Sequence, residues 1–65
     1  MEIVVNGERE SLEPCTIADL VMRRGLDAGS LVVECNRAIV KQEQWPTTRL
    51  QAGDRLELLS FVGGG

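Results

Sequence analysis

Glu2-Ile3-Val4-Val5-Asn6-Gly7, followed by Thr16-Ile17-Ala18-Asp19-Leu20-Val21-Met22-Arg23-Arg24-Gly25, carries the decisive signals for the fold. The first stretch is β-branched at Ile3, Val4 and Val5 and then meets Asn6-Gly7. Asn-Gly best accepts the positive φ angles of a two-residue hairpin turn. A return strand is expected over Glu8 to Glu13; it is polar apart from Leu12 and belongs at a solvated edge. Charge along such an edge discourages pairing with other chains. Pro14 ends the strand because it cannot donate to a ladder.

The second stretch is a punctuated helix. Thr16 is the N-cap, and Asp19, three residues on, is a short-armed version of the capping-box acid. Cys15 and Leu20 hold the positions of a hydrophobic staple, while Ile17, Leu20 and Val21 form one apolar stripe. Arg23 and Arg24 fall in the last turn, where cations complement the helix dipole. Gly25 supplies the left-handed residue that closes the helix, with Leu26 packing back on Val21. A helix of about Ile17 to Arg24 is too short to stand on propensity and depends on packing.

Outward from there, Asp27-Ala28-Gly29-Ser30 is a connection, and Leu31 to Cys35 reads as a strand with Leu31, Val33 and Cys35 on one side. Asn36-Arg37 turns the chain into a brief extended Ala38-Ile39-Val40. Lys41 to Thr48 is polar except for Trp45-Pro46, and Trp45 is expected to lid one end of the core. Gly53-Asp54 makes a turn into the last and most apolar strand, Arg55 to Val62. The order β-β-α-β-(short β)-β predicts an α+β domain, one helix on a mixed sheet of four to five strands. Alternation in the last strand turns Leu56 and Leu58 toward the helix and leaves Leu59 and Phe61 on the other face. Val4 and Val32 also alternate outward, and these four residues are expected to form an exposed apolar patch of the kind that marks a partner site.

Composition narrows the chemistry. A chain of 65 residues implies one domain with little room for a catalytic cleft. With 43% hydrophobic residues it has enough for one core and too many for disorder. It contains no histidine, the commonest general base and transition-metal ligand. Cys15 and Cys35 are too few for a thiolate-only metal or cluster site and read as small buried hydrophobes. A net charge of −3 and only two aromatic residues, Trp45 and Phe61, argue against a nucleic-acid partner. The N-terminus has no signal-peptide pattern, and no apolar run approaches a membrane span, so a reduced, cytoplasmic protein is expected.

What remains is Phe61-Val62-Gly63-Gly64-Gly65. An apolar strand that runs straight into three glycines reads as a folded domain over residues 1–62 carrying a flexible thread over 63–65. Three residues reach about 10 Å, enough to pass a carboxylate through a narrow entrance into another protein's active site. A free carboxylate is a poor acyl donor until its oxygen becomes a leaving group. Chemistry at Gly65 therefore requires activation by a second enzyme, and the chain then needs no base, nucleophile or metal of its own.

With these features the chain resembles the ubiquitin-like, β-grasp sulfur carriers, above all the ThiS-type carriers of thiazole formation in thiamine biosynthesis. The resemblance runs the length of the chain. It rests on Thr16-Ile17-Ala18-Asp19-Leu20, Asn36 ahead of Ile39-Val40, Gln44-Trp45, Gly53-Asp54-Arg55-Leu56-Glu57-Leu58 and Phe61-Val62-Gly63-Gly64-Gly65. It implies that an adenylating, ubiquitin-activating-like enzyme uses ATP to convert the Gly65 carboxylate to an acyl-adenylate. A persulfide derived from cysteine then yields a thiocarboxylate, which donates sulfur to thiazole synthase. Gly64 and Gly65 match the reactive tail of the family, and Gly63 extends it. The resemblance implies a protein substrate rather than an enzyme, with no permanently bound cofactor. Related readings are a carrier for molybdenum-cofactor, cysteine or tRNA thiolation, a covalent protein modifier, and a plain binding module.

Overall fold

The computed structural model describes residues 1–61. The expected end of the last strand at Val62 and the thread over 63–65 lie outside them. The described residues form five strands: β1 (Glu2–Val5), β2 (Glu8–Ser11), β3 (Leu31–Cys35), β4 (Ala38–Val40) and β5 (Arg55–Ser60). One α-helix, α1, spans Ile17–Arg23. The sheet order is β2-β1-β5-β3-β4. β1 and β5 run parallel, and every other neighbouring pair is antiparallel. The expected α+β architecture is therefore present, with five strands and the polar β2 at an edge.

Local chemistry explains each element. Asn6 (φ 50°) and Gly7 (φ 83°) take the left-handed angles that the β1–β2 turn requires. β2 is shorter than expected and ends at Ser11, although Leu12 still exchanges bonds with Met1 at 2.8 Å in each direction. At the helix start the Thr16 side chain accepts from the Asp19 N–H (3.2 Å), and Asp19 accepts from the Thr16 N–H (3.0 Å). These bonds satisfy donors that the first turn leaves without intrahelical partners. The helix closes one residue earlier than expected. The Gly25 N–H donates to the Met22 carbonyl and the Leu26 N–H to that of Val21, the paired bonds of a Schellman cap. Arg24, just past the helix, forms an ion pair with Glu10 on β2.

α1 lays Ile17, Leu20 and Val21 onto the inner face of the sheet, against Ile3, Val5, Val33, Leu56 and Leu58. Two segments that looked like plain loops are short 3₁₀ turns, Ala28–Ser30 and Gln42–Thr47. The second turn carries Trp45 into the core, where its indole N–H donates to the Val40 carbonyl at 2.8 Å. Burial of the ring thus costs no polar partner. Leu50 completes the core from a stretch that sequence patterning left unassigned. It is held by backbone bonds from Leu50 N–H to the Cys15 carbonyl and from Ile17 N–H to the Thr48 carbonyl.

Asn36 and Asn6 stitch these parts together. Asn36 (φ 52°) and Arg37 (φ 72°) form the tight β3–β4 turn. The Asn36 amide reaches the Asp54 carboxylate (3.0 Å) and accepts from the Arg55 N–H (3.0 Å). Asn6 has a second task beyond its turn. Its Oδ1 accepts from the Leu58 N–H at 2.7 Å and its Nδ2 donates to the Leu58 carbonyl at 3.3 Å. A side-chain amide thus stands in for the next peptide of β1 and lengthens the β1–β5 ladder after the main chain has turned away.

Two measurements check this account. Asn6→Gly keeps the positive φ and deletes only the amide, so it should destabilise the domain by about 1–3 kcal/mol in urea unfolding. No change would mean that water replaces both bonds without loss. The hydrogen bond from the Thr16 N–H, then that with its side chain, lowers the Asp19 pKa below the ordinary 3.8. A depressed folded-state value stabilises above the unfolded pKa and loses that contribution as pH falls through the folded one. The stability gap between wild type and Asp19→Asn should therefore be full at neutral pH and shrink on acidification below about pH 4.

Candidate functional site

β5 is the central strand that leads toward the glycines, so its surroundings define the candidate site. Alternation places Leu56 and Leu58 in the core and turns Arg55, Glu57 and Leu59 to the outer face of the sheet. Phe61 follows β5, and its N–H continues the ladder by donating to the Ser30 carbonyl at 2.9 Å. Leu59 and Phe61 are each 49% exposed, large apolar groups left in water on the face away from α1. Val32 lies directly across from Leu59 and is half-buried. Val4 shares the outer face, but its register partners are Arg55 on β5 and Arg9 on β2. That puts it four residues down the strand from Leu59, roughly 13 Å at ~3.3 Å per residue. The structure thus brings Leu59, Val32 and Phe61 together and sets Val4 apart, in a row flanked by arginines. Gly63, Gly64 and Gly65 lie outside the described residues.

Between the two groups sits the facing pair Glu34 and Glu57, with Ile39 beside Glu34 on β4. Ile39 is 69% exposed, and the apolar surface therefore extends to the β4 side of these acids. Sequence reading missed Ile39, although its place in an alternating three-residue strand was the available signal.

Among the described residues, nothing elsewhere has the makings of a catalytic centre. No group of three or more Cys, Asp or Glu side chains converges as a metal site. A shallow groove of about 340 Å³ between α1 and the Gln42–Thr47 turn is lined by Val21, Met22, Leu26, Trp45 and Pro46 and has no ionisable side chain. Both cysteines are free thiols, Cys15 buried in the core and Cys35 partly so. Burial, and then the Asp54 carboxylate, push the Cys35 pKa above its ordinary value, which keeps the thiol protonated and weakly nucleophilic. No helix among the described residues is long and apolar enough to cross a membrane.

A crystal structure of the thiamine biosynthesis protein (ThiS) from Geobacter metallireducens superposes with a TM-score of 0.86 at 29% identity, over 100% of both chains. A solution structure of a thiamine biosynthesis protein from the same organism gives 0.82 at 29% identity, covering 100% of this chain and 88% of the other. The sheet and helix described above are thus the β-grasp arrangement of those proteins. Two relatives, named thiazole synthase, are 33% identical in Paramagnetospirillum magneticum and 35% identical in Magnetococcus marinus. The match takes in 100% of this chain but 20% of each relative, so the chain spans about a fifth of their length. The ThiS family profile matches residues 2–65, and the chain belongs to the ThiS family.

Proposed function

We propose that this protein is a sulfur carrier of thiamine biosynthesis and that the Gly65 carboxylate is its reactive group. The observation that carries the reading is family membership across residues 2–65, a match that includes Gly63-Gly64-Gly65. The chemistry then falls to partners. An adenylating enzyme joins the Gly65 carboxylate to the α-phosphate of ATP and releases pyrophosphate, making AMP a leaving group. The outer sulfur of a persulfide derived from cysteine displaces AMP, and a thiol reductant cleaves the resulting acyl disulfide to the thiocarboxylate. The thiocarboxylate donates its sulfur to a thiazole synthase, the activity named for the two relatives.

Residues 1–62 act in this reading as a rigid handle and 63–65 as the thread that enters partner active sites. Leu59, Phe61 and Val32 form the docking patch, with Val4 a separate contact nearer β2. The reading requires a free carboxylate at Gly65, which C-terminal sequencing of the native protein checks.

The direct test is the mass of the tryptic fragment Leu56–Gly65 after incubation with ATP, cysteine, a desulfurase and the adenylating enzyme. That fragment contains neither methionine nor cysteine, so a sulfur-for-oxygen gain in it reports the tail and not side-chain oxidation. A gain is expected. Its absence, with an enzyme active on its own carrier, would turn the assignment toward a modifier or a binding module. Phe61→Ser should cut kcat/KM for adenylation about tenfold through KM, as loss of an interface anchor does. Because Phe61 is half exposed, its unfolding free energy should change by no more than ~0.5–1 kcal/mol. Unchanged adenylation by a folded variant would remove Phe61 from the docking surface.

A further inference from the structure

Asn6 has two structural duties that sit beside a chemical hazard. With Gly7 it makes the β1–β2 turn, and its side-chain amide holds Leu58 on β5. An asparagine followed by glycine is also the pair best suited to attack on itself. The main-chain nitrogen of the following residue can bond to the side-chain carbonyl carbon and close a five-membered ring, and glycine has no Cβ to block the approach. The chain has two asparagines, Asn6 and Asn36, and only Asn6 precedes glycine. Asn36 precedes Arg37, whose side chain crowds the same approach. Asn6 and Gly7 are both exposed. Beyond its chain neighbours, nothing lies within 4 Å of where a Cβ on Gly7 would stand, so the turn is open to water.

The fold sets two effects against each other at this amide. The Leu58 N–H donates to Oδ1 at 2.7 Å, which polarises the carbonyl and favours attack at Cγ. Nδ2 donates to the Leu58 carbonyl at 3.3 Å, so both ends of the amide are fixed along the edge of β5. Ring closure requires Cγ to turn toward the Gly7 nitrogen and become tetrahedral. An amide tied at both ends to a neighbouring strand does not make that turn. Polarisation changes how readily the two atoms react once they meet, whereas orientation decides whether they meet at all. Orientation therefore wins, and the bonds to Leu58 act as a lock.

We propose that Asn6-Gly7 is a self-modification site, closed while Leu58 holds the Asn6 amide and open when β5 lets go of it. In the open form the Gly7 nitrogen bonds to Asn6 Cγ, the Cγ–Nδ2 bond breaks, and Nδ2 leaves as ammonia with the Gly7 proton. Water then opens the cyclic imide at either carbonyl and leaves aspartate, or its β-linked isomer, at position 6. Water is the sole co-reactant. Either product is a carboxylate at neutral pH. In the aspartate, the atom that donated to the Leu58 carbonyl is replaced by an acceptor, and two acceptors at that separation repel. In the isomer the main chain runs through Cβ, which lengthens a turn of only two residues. Each product removes the lock, so a single opening is recorded permanently as a weaker β1–β5 joint.

The experiment follows ammonia loss at Asn6 in the native protein and in the free peptide Met1–Arg9, held side by side in one mildly alkaline buffer. Tryptic cleavage after Arg9 releases the same fragment from the protein. It contains no other asparagine and no glutamine, so the mass gain of an amide becoming an acid reports Asn6. The peptide should convert at least about tenfold faster than the protein, because the protein must first break both bonds to Leu58. Urea below the unfolding transition should raise the protein's rate in step with exchange of the Leu58 amide. Equal rates in peptide and protein would overturn the proposal. So would a protein rate that follows exchange of the β3–β5 ladder amides instead of Leu58, because global unfolding would then open the site. Asn6→Asp supplies one product directly, and its Leu58 amide should exchange at least about tenfold faster than in wild type. Wild-type exchange at Leu58 in that variant would show that the product keeps the lock, and would sink the idea. Should Asn6→Asp fail to fold, the rates measured on the wild-type chain still decide.

Discussion

The parallel pairing of β1 with β5 is the constraint on which the other parts depend. It joins the two ends of the described chain and, with the β3–β5 pairing, links the β1–β2 hairpin to the β3–β4 hairpin through β5. Neither hairpin has a stable existence alone, since two strands in water are at best marginal. Only when β5 enters between them does a continuous inner face exist for Ile17, Leu20 and Val21 to cover. The contact also closes the longest loop in the fold, so its entropy cost must be met by the burial it permits. Asn6 reinforces the joint where the main chain can no longer do so, by presenting a side-chain amide to Leu58.

That dependence bears on function. β5 is both the strand that completes the sheet and the one that leads toward the glycines. In the proposed carrier reading, the reactive group would be referred to the most constrained strand of the domain. The inner face of β5 is committed to the core, and its outer face keeps Leu59 and Phe61 in water. The same strand thus commits one side to the core and leaves large apolar side chains in water on the other, which the period of two in a β-strand makes possible.

Much of this was legible locally. Asn6-Gly7 announced the hairpin, and Thr16 with Asp19 announced the helix start, because turn and cap chemistry are short-range. Gly25 closed the helix for the same reason. The Gln42–Thr47 turn and the place of Leu50 were not legible. Their apolar residues are too sparse for periodicity, and Leu50 is buried only because it bonds to the entry of α1. β2 stopped at Ser11 because its partner β1 is only four residues long. The outer patch was half legible. Alternation assigned Leu59, Phe61, Val32 and Val4 to one face, but a face is wider than a patch, and distance along it depends on register.

By itself, the sequence determined the strands and the α-helix and their order, the capped start of the helix, the sides of β1, β3 and β5 that enter the core, and the glycine ending that directs attention to Gly65. These follow from dihedral preferences and local periodicity, which act over a few residues. Tertiary structure alone decided that β1 and β5 pair in parallel, that Val32 rather than Val4 stands beside Leu59, and that Asn6 serves Leu58. Each of these is a matter of register between segments far apart in the chain. Register is set by packing the whole core at once, and no local stretch of sequence contains that information.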